Sequence, residues 1–120
     1  MPNAAKRVLV VDDNVDSARV TGLLLNALGF EVRLAHSGPE ALKAAAEFVP
    51  AAVLLDIGLP GMDGYEVART LRAARGAELR LLALSGYGQD EDRRRSAEAG
   101  FDHHLLKPAD PAKMVELLQG

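Results

Sequence analysis

Five polar side chains in this sequence stand where short apolar runs break off. Asp12 and Asp13 follow VLVV, Asp56 ends AAVLLD, Ser85 follows LLAL, and Lys107 follows HLL. Three acids, a hydroxyl and an ammonium can handle phosphate if one edge of a fold gathers them. Two unit charges about 4 Å apart repel by about 4 kcal/mol at an effective dielectric of about 20. Three clustered carboxylates therefore call for a cation among them. All the donors are oxygen, so a hard divalent ion fits. Mg²⁺ typically takes one or two carboxylates, keeps several waters and adds phosphate oxygens. Lys107 cannot ligate a cation, but it can hold a phosphate oxygen or a carboxylate. Ser85 can donate to a phosphate oxygen. One acid is then free to act as a nucleophile, as carboxylates do in aspartyl-phosphate chemistry.

Singly, each residue has a plainer use. Asp12 or Asp13 would cap a helix, Ser85 would serve a turn, and Lys107 would be a solvated lysine. The weight lies in their coincidence at the ends of four apolar runs. His103 and His104 are adjacent on a strand and face opposite ways, so they make no metal pair. Gly58, Gly61 and Gly64 are too loosely scattered for a phosphate cradle, and LPGMDG reads as turn chemistry.

The elements that must position these residues are legible. The apolar runs are Arg7–Val11, Glu31–Ala35, Ala51–Asp56, Arg80–Leu84 and His103–Leu106. VLVV and AAVLL lack period-two alternation, as parallel strands do when both faces are buried. Between the runs lie helical patterns. Asn14 to Leu28 carries Val20, Leu24, Ala27 and Leu28 on one face, and Gly29 stops it. Ser37 with Glu40 makes a capping box, with Pro39 in the first turn and Pro50 past the end. Asp63 can cap a helix bearing Val67, Leu71 and Ala74, closed by Gly76. Asp110-Pro111 opens a last helix with Met114, Val115, Leu117 and Leu118. The fourth predicted helix, DEDRRRSAEA from Asp90 to Ala99, has almost no large apolar residue. Its i,i+4 pairs are worth only about 0.3–0.5 kcal/mol each, so it is expected to dock loosely. Strands alternating with helices predict an α/β domain, a doubly wound open parallel sheet covered on both faces. In such sheets ligands bind beyond the carboxyl ends of the strands, where the five polar residues fall.

Composition narrows the function. The 120 residues suit one domain, with 48% apolar and 26% charged residues. A net charge of −3 offers no basic stripe for nucleic acid. Two Tyr, three Phe and no Trp offer no base-stacking platform. Without cysteine there is no disulfide framework, thiol catalysis or Cys zinc site. No apolar run reaches transmembrane length and MPNAAKR lacks a signal peptide's apolar stretch, so no membrane is expected and the cytoplasm is the default compartment.

Taken together, VLVVDDN, LLDIGLPGMDGYEVARTLR, LLALSGYG and AGFDHHLLKP resemble the receiver domains of two-component signalling over nearly the whole chain. The resemblance implies a single receiver domain over residues 1–120. It also implies a flavodoxin-like (βα)5 fold, a five-stranded parallel sheet of order 2-1-3-4-5. It makes Asp56 the phosphoacceptor and Asp13 and Asp56 direct Mg²⁺ ligands. Asp12 would ligate through water, and the backbone carbonyl of Gly58 would complete the protein's share. Ser85 and Lys107 would bind phosphoryl oxygens. His104 takes the family's aromatic switch position, where Tyr or Phe is more usual. Gly58 and Tyr87 take the positions that border the family's path for hydrolytic water; Gly58 has no side chain to orient that water and Tyr87 would crowd it, so slow self-dephosphorylation is expected. The implied partners are a histidine kinase or histidine phosphotransfer domain as donor, and a downstream protein on the face of the fourth helix, last strand and last helix. The wording of DIGLPGMDGYEVA and AGFDHHLLKP is especially similar to receivers of hybrid sensor kinases.

Two other readings use the same residues. A Mg²⁺-dependent phosphatase with an Asp nucleophile usually spaces its first acids Asp-x-Asp and carries a covering insertion; here the acids are adjacent and no insertion is present. A degenerate receiver used only for binding would lack site residues, and all five are present.

Overall fold

In the computed structural model, residues 6–57, 64–85, 94, 97–106 and 110–119 are described. The unbroken apolar runs form the middle of a parallel sheet. Its strands are β1 (Arg7–Val11), β2 (Glu31–Ala35), β3 (Ala52–Asp56), β4 (Arg80–Ser85) and β5 (His103–Leu106), in the order β2-β1-β3-β4-β5. This is the expected 2-1-3-4-5. The third strand starts one residue later than the apolar run suggests. The fourth runs one residue further, because Ser85 still pairs with Leu106. Ser85 thus lies within the ladder and not beyond it.

Alternate strand residues feed two cores. Leu9, Val11, Val53, Leu55, Leu81 and Ala83 face α2 (Gly38–Phe48) and α3 (Gly64–Arg75). Val8, Val10, Leu54, Leu82, Leu84 and Leu105 pack with α1 (Val15–Ala27) and the C-terminal helix (Pro111–Gln119), through Leu25, Met114 and Leu118.

The helix ends follow the punctuation. Asn14 Oδ1 accepts from the Ser17 N–H at 2.9 Å, and Gly29 leaves α1 at φ +101°. Ser37 Oγ accepts from the Glu40 N–H at 3.2 Å. Glu40 reaches back one residue further than a standard box, to the His36 N–H at 3.2 Å. Asp110 Oδ1 accepts from the Ala112 N–H at 3.1 Å, which starts the C-terminal helix.

The predicted apolar face of α1 is corrected. Ala18, Gly22 and Leu25 are buried, whereas Val20 is 66% exposed and Leu28 47%. The helix is turned to bring its small residues against β2: a Cβ on Gly22 would meet Leu34 Cδ2 at 3.0 Å. Close approach, rather than the largest side chains, sets its rotation. In α3, Val67 and Leu71 are buried as expected, but Ala74 is exposed. A second feature was not foreseen: α2 ends on Val49 at φ 49° and ψ 63°, a left-handed conformation costly for a β-branched residue.

Arg72 fixes the entry to β5. Its guanidinium donates to Gly100 O at 2.6 and 3.1 Å, to Gly76 O at 2.7 Å and to Asp102 Oδ2 at 2.9 Å. Asp102 Oδ2 also accepts from the Leu81 N–H at 2.8 Å, which ties β5 to β4. Of the fourth predicted helix, Arg94 and residues 97–99 are helical and Ala99 is 2% exposed. Its remaining positions and Asp63 lie outside the described residues. Among the described residues no helix is long and apolar enough to cross a membrane.

Candidate functional site

All five strands run the same way, so their carboxyl ends share one edge. Register then sets which side chains meet. Val11 pairs with Leu55, so Asp12 and Asp56 emerge side by side. One carboxylate oxygen from each of Asp12, Asp13 and Asp56 lies within 4.8 Å of the others. Asp12 is 3% exposed and Asp56 9%, while Asp13 is exposed.

Asp12 is held from several sides. Its Oδ1 accepts from the Asn14 N–H at 3.0 Å. Its own N–H donates to Ala35 O at 3.0 Å, and its carbonyl accepts from His36 Nδ1 at 3.0 Å. A carbonyl can only accept, so that contact places the hydrogen on Nδ1 of His36. His36 thus buttresses the site from the end of β2, a role its sequence position did not suggest.

The helix after Asp56 is seated by a glycine. A Cβ on Gly64 would lie 2.4 Å from Ile57 Cα and 2.9 Å from Asp56 O. Only glycine lets α3 begin this close to the end of β3. Spacing along LPGMDG makes Gly64 a turn residue; the structure makes it the first residue of the helix behind the strand of Asp56.

Ser85 is 5% exposed at the end of β4, and its Oγ lies 2.7 Å from His104 Nε2. Ala83, the direct partner of His104, shares the face of Ser85, opposite to Leu105. Gly58, Tyr87, Lys107 and the Pro108 that follows lie outside the described residues. Lys107 succeeds Leu106, the cross-strand partner of Ser85.

The three acids form an all-oxygen donor set, closely spaced and partly withdrawn from water. It fits a hard cation better than an N/S-preferring one.

Comparison with known proteins agrees with this geometry. Residues 8–119 match the response regulator receiver domain family, and the chain belongs to that family. An uncharacterized 14.6 kDa protein of Leptolyngbya boryana is 34% identical over 113 residues, 93% of this chain and 86% of that one. The DNA-binding response regulator MtrA of Mycobacterium tuberculosis is 36% identical over 115 residues, covering 96% of this chain but 50% of MtrA. This chain therefore spans about half the length of that relative. Among solved structures, a CheY-like receiver domain protein from Methanospirillum hungatei matches at TM-score 0.88 and 30% identity, over 96% of this chain and 91% of that one. Vibrio cholerae CheY4 matches at TM-score 0.90 and 27% identity, over 97% and 98%. This is a receiver domain of the two-component type. Receiver domains interact with histidine kinases or phosphotransfer proteins and typically bind a metal ion at an Asp cluster, which the acids here provide.

Proposed function

We propose that this domain takes a phosphoryl group from a phosphohistidine, on a histidine kinase or a histidine phosphotransfer domain, onto Asp56. The observation that carries this reading is the cluster of Asp12, Asp13 and Asp56 at one sheet edge, with Ser85 on the neighbouring strand. An Asp56 oxygen attacks phosphorus, the P–N bond breaks, and the imidazole leaves as it regains a proton. Asp13, Asp56 and the Gly58 carbonyl are the residues that would hold Mg²⁺, with Asp12 acting through water. When bound, Mg²⁺ offsets the charge of the transferring group. Ser85 and Lys107 donate to the phosphoryl oxygens, so positioning and electrostatics supply the catalysis.

The added charge of roughly −2 and its three acceptor oxygens draw on Ser85 and bias the surface that follows it: the fourth predicted helix, β5 with His104, and the C-terminal helix. A downstream protein would read that face. The domain is no enzyme in the usual sense, since it acts on its own Asp56. In this reading residues 8–119 form one receiver domain acting in the cytoplasm. Acetyl phosphate with Mg²⁺ is expected to add one phosphate mass to the domain and none to Asp56→Asn. Stoichiometric labelling of Asp56→Asn would overturn the assignment.

A further inference from the structure

The contact between Ser85 and His104 constrains the chemistry of the site more than either residue does alone. The two belong to adjacent strands, and both side chains rise from the same sheet face. Ser85 Oγ and His104 Nε2 are 2.7 Å apart in a part-buried setting. A serine hydroxyl has one hydrogen to give and two lone pairs with which to accept. An imidazole nitrogen donates when it carries a hydrogen and accepts when it does not.

The two possible directions of this hydrogen bond have different consequences. If Nε2 is bare, Ser85 spends its only hydrogen on the ring. Its oxygen would then meet a phosphoryl oxygen lone pair to lone pair. If Nε2 carries a hydrogen, Ser85 accepts from the ring and keeps its own hydrogen for the phosphoryl group. The chain N–H to O–H to phosphoryl oxygen then runs in one direction, and each bond polarises the next. A phenylalanine at position 104 would fill similar space and supply no donor, so the arrangement depends on the nitrogen.

We propose that His104 is a positioning residue for phosphoryl binding: it donates from Nε2 to Ser85 Oγ and so aims the Ser85 hydroxyl hydrogen at a phosphoryl oxygen on Asp56. This rests on the reading of Ser85 as a phosphoryl ligand. His104 touches neither the phosphoryl group nor the metal acids in this scheme and acts only through Ser85.

Two measurements test it. The first is long-range ¹H–¹⁵N NMR of the His104 ring in the wild-type domain, with beryllofluoride and Mg²⁺ standing in for the phosphoryl group. The expected result is a hydrogen on Nε2 in the complex; a bare Nε2 there overturns the proposal. The second is the acetyl phosphate labelling rate of Ser85→Ala, His104→Phe, His104→Gln and the double variant Ser85→Ala/His104→Phe. Ser85→Ala is expected to slow labelling about tenfold to a hundredfold, the scale of a hydrogen bond to a charged group. His104→Phe is expected to slow it severalfold, and to add nothing once Ser85 is alanine, as coupled residues do. His104→Gln, with an amide N–H in reach, is expected to recover most of the rate. If His104→Phe slows the Ser85→Ala domain as much as it slows the wild type, His104 does not act through Ser85. The proposal then fails while the role of Ser85 stands. If Ser85→Ala leaves the rate unchanged, the reading of Ser85 fails first and takes this one with it. Should His104→Phe misfold, the wild-type NMR result decides alone.

Discussion

Gly64→Ala sets two effects against each other at the base of the acid cluster. Alanine is the better helix former, by up to about 1 kcal/mol in a helix interior and less at its first position. Against this, the new Cβ would fall 2.4 Å from Ile57 Cα and 2.9 Å from the carbonyl oxygen of Asp56. Both are backbone atoms of the strand end, so no rotamer change relieves the clash. Ordinary contact needs roughly another 1 Å, which must come from moving the start of α3 away from β3. Overpacking of this kind costs about 1–3 kcal/mol, and an immovable partner puts the cost near the top of that range. The net expectation is about 2 kcal/mol of destabilisation. At about 2.1 cal/mol/K per residue, the 120 residues have an unfolding entropy near 250 cal/mol/K. Tm should therefore fall by about 8 °C, read by circular dichroism in metal-free buffer. A variant that melts with the wild type or above it would mean that helix propensity wins, and the close seat of α3 on the Asp56 strand would have to be abandoned.

Three further outcomes are expected. Mg²⁺ should raise Tm by mass action on the native state, and Asp13→Ala should remove that gain; an equal shift in the variant would count against the acid cluster. Val49→Gly should stabilise the domain by about 1 kcal/mol, since the left-handed conformation at φ 49° costs a side chain about 1–2 kcal/mol and Val49 is already 53% exposed; a lower denaturation midpoint would contradict this. Arg72→Ala should cost about 2 kcal/mol or more, because it leaves the carbonyl of Gly100 and the carboxylate of Asp102 without their guanidinium; a loss under about 0.5 kcal/mol in urea titration would show that Arg72 does not hold β5.

What the sequence made legible was whatever depends on local pattern. Unbroken apolar runs marked β1 and β3 because a strand buried on both faces has no polar side to show. Asn14, Ser37 and Gly29 punctuated helices because the orphan groups of a helix end need particular chemistry. The acids were found because each stands where such a run stops. Strand order did not follow from pattern; it came with the resemblance, and the sheet agrees. The rotation of α1 does not follow from its own pattern because it depends on which residue β2 can admit, here Gly22, and that is a tertiary fact. The hydrogen bond between Ser85 and His104 and the seat of Gly64 are likewise contacts across elements, invisible to spacing along one of them.

These contacts divide the site into a held half and a responsive half. On the held side, every residue of β3 is buried, and Asp12 is fixed through its carboxylate, its N–H and its carbonyl. Charge added at Asp56 cannot displace these groups without breaking bonds that the sheet itself maintains. On the other side stands β5, an edge strand of four residues of which one is buried. It is anchored at its start by Arg72 and Asp102 and toward its end by the packing of Leu105. Ser85 joins the two halves: its backbone belongs to the paired end of β4, and its side chain reaches His104 on the edge strand. In the proposed scheme Ser85 accepts from His104 and gives its single hydrogen to the phosphoryl group, so a bond made at Asp56 polarises the one shared with His104. The acids can thus stay fixed for phosphoryl transfer while the consequence passes to the edge of the sheet, where few buried contacts resist it.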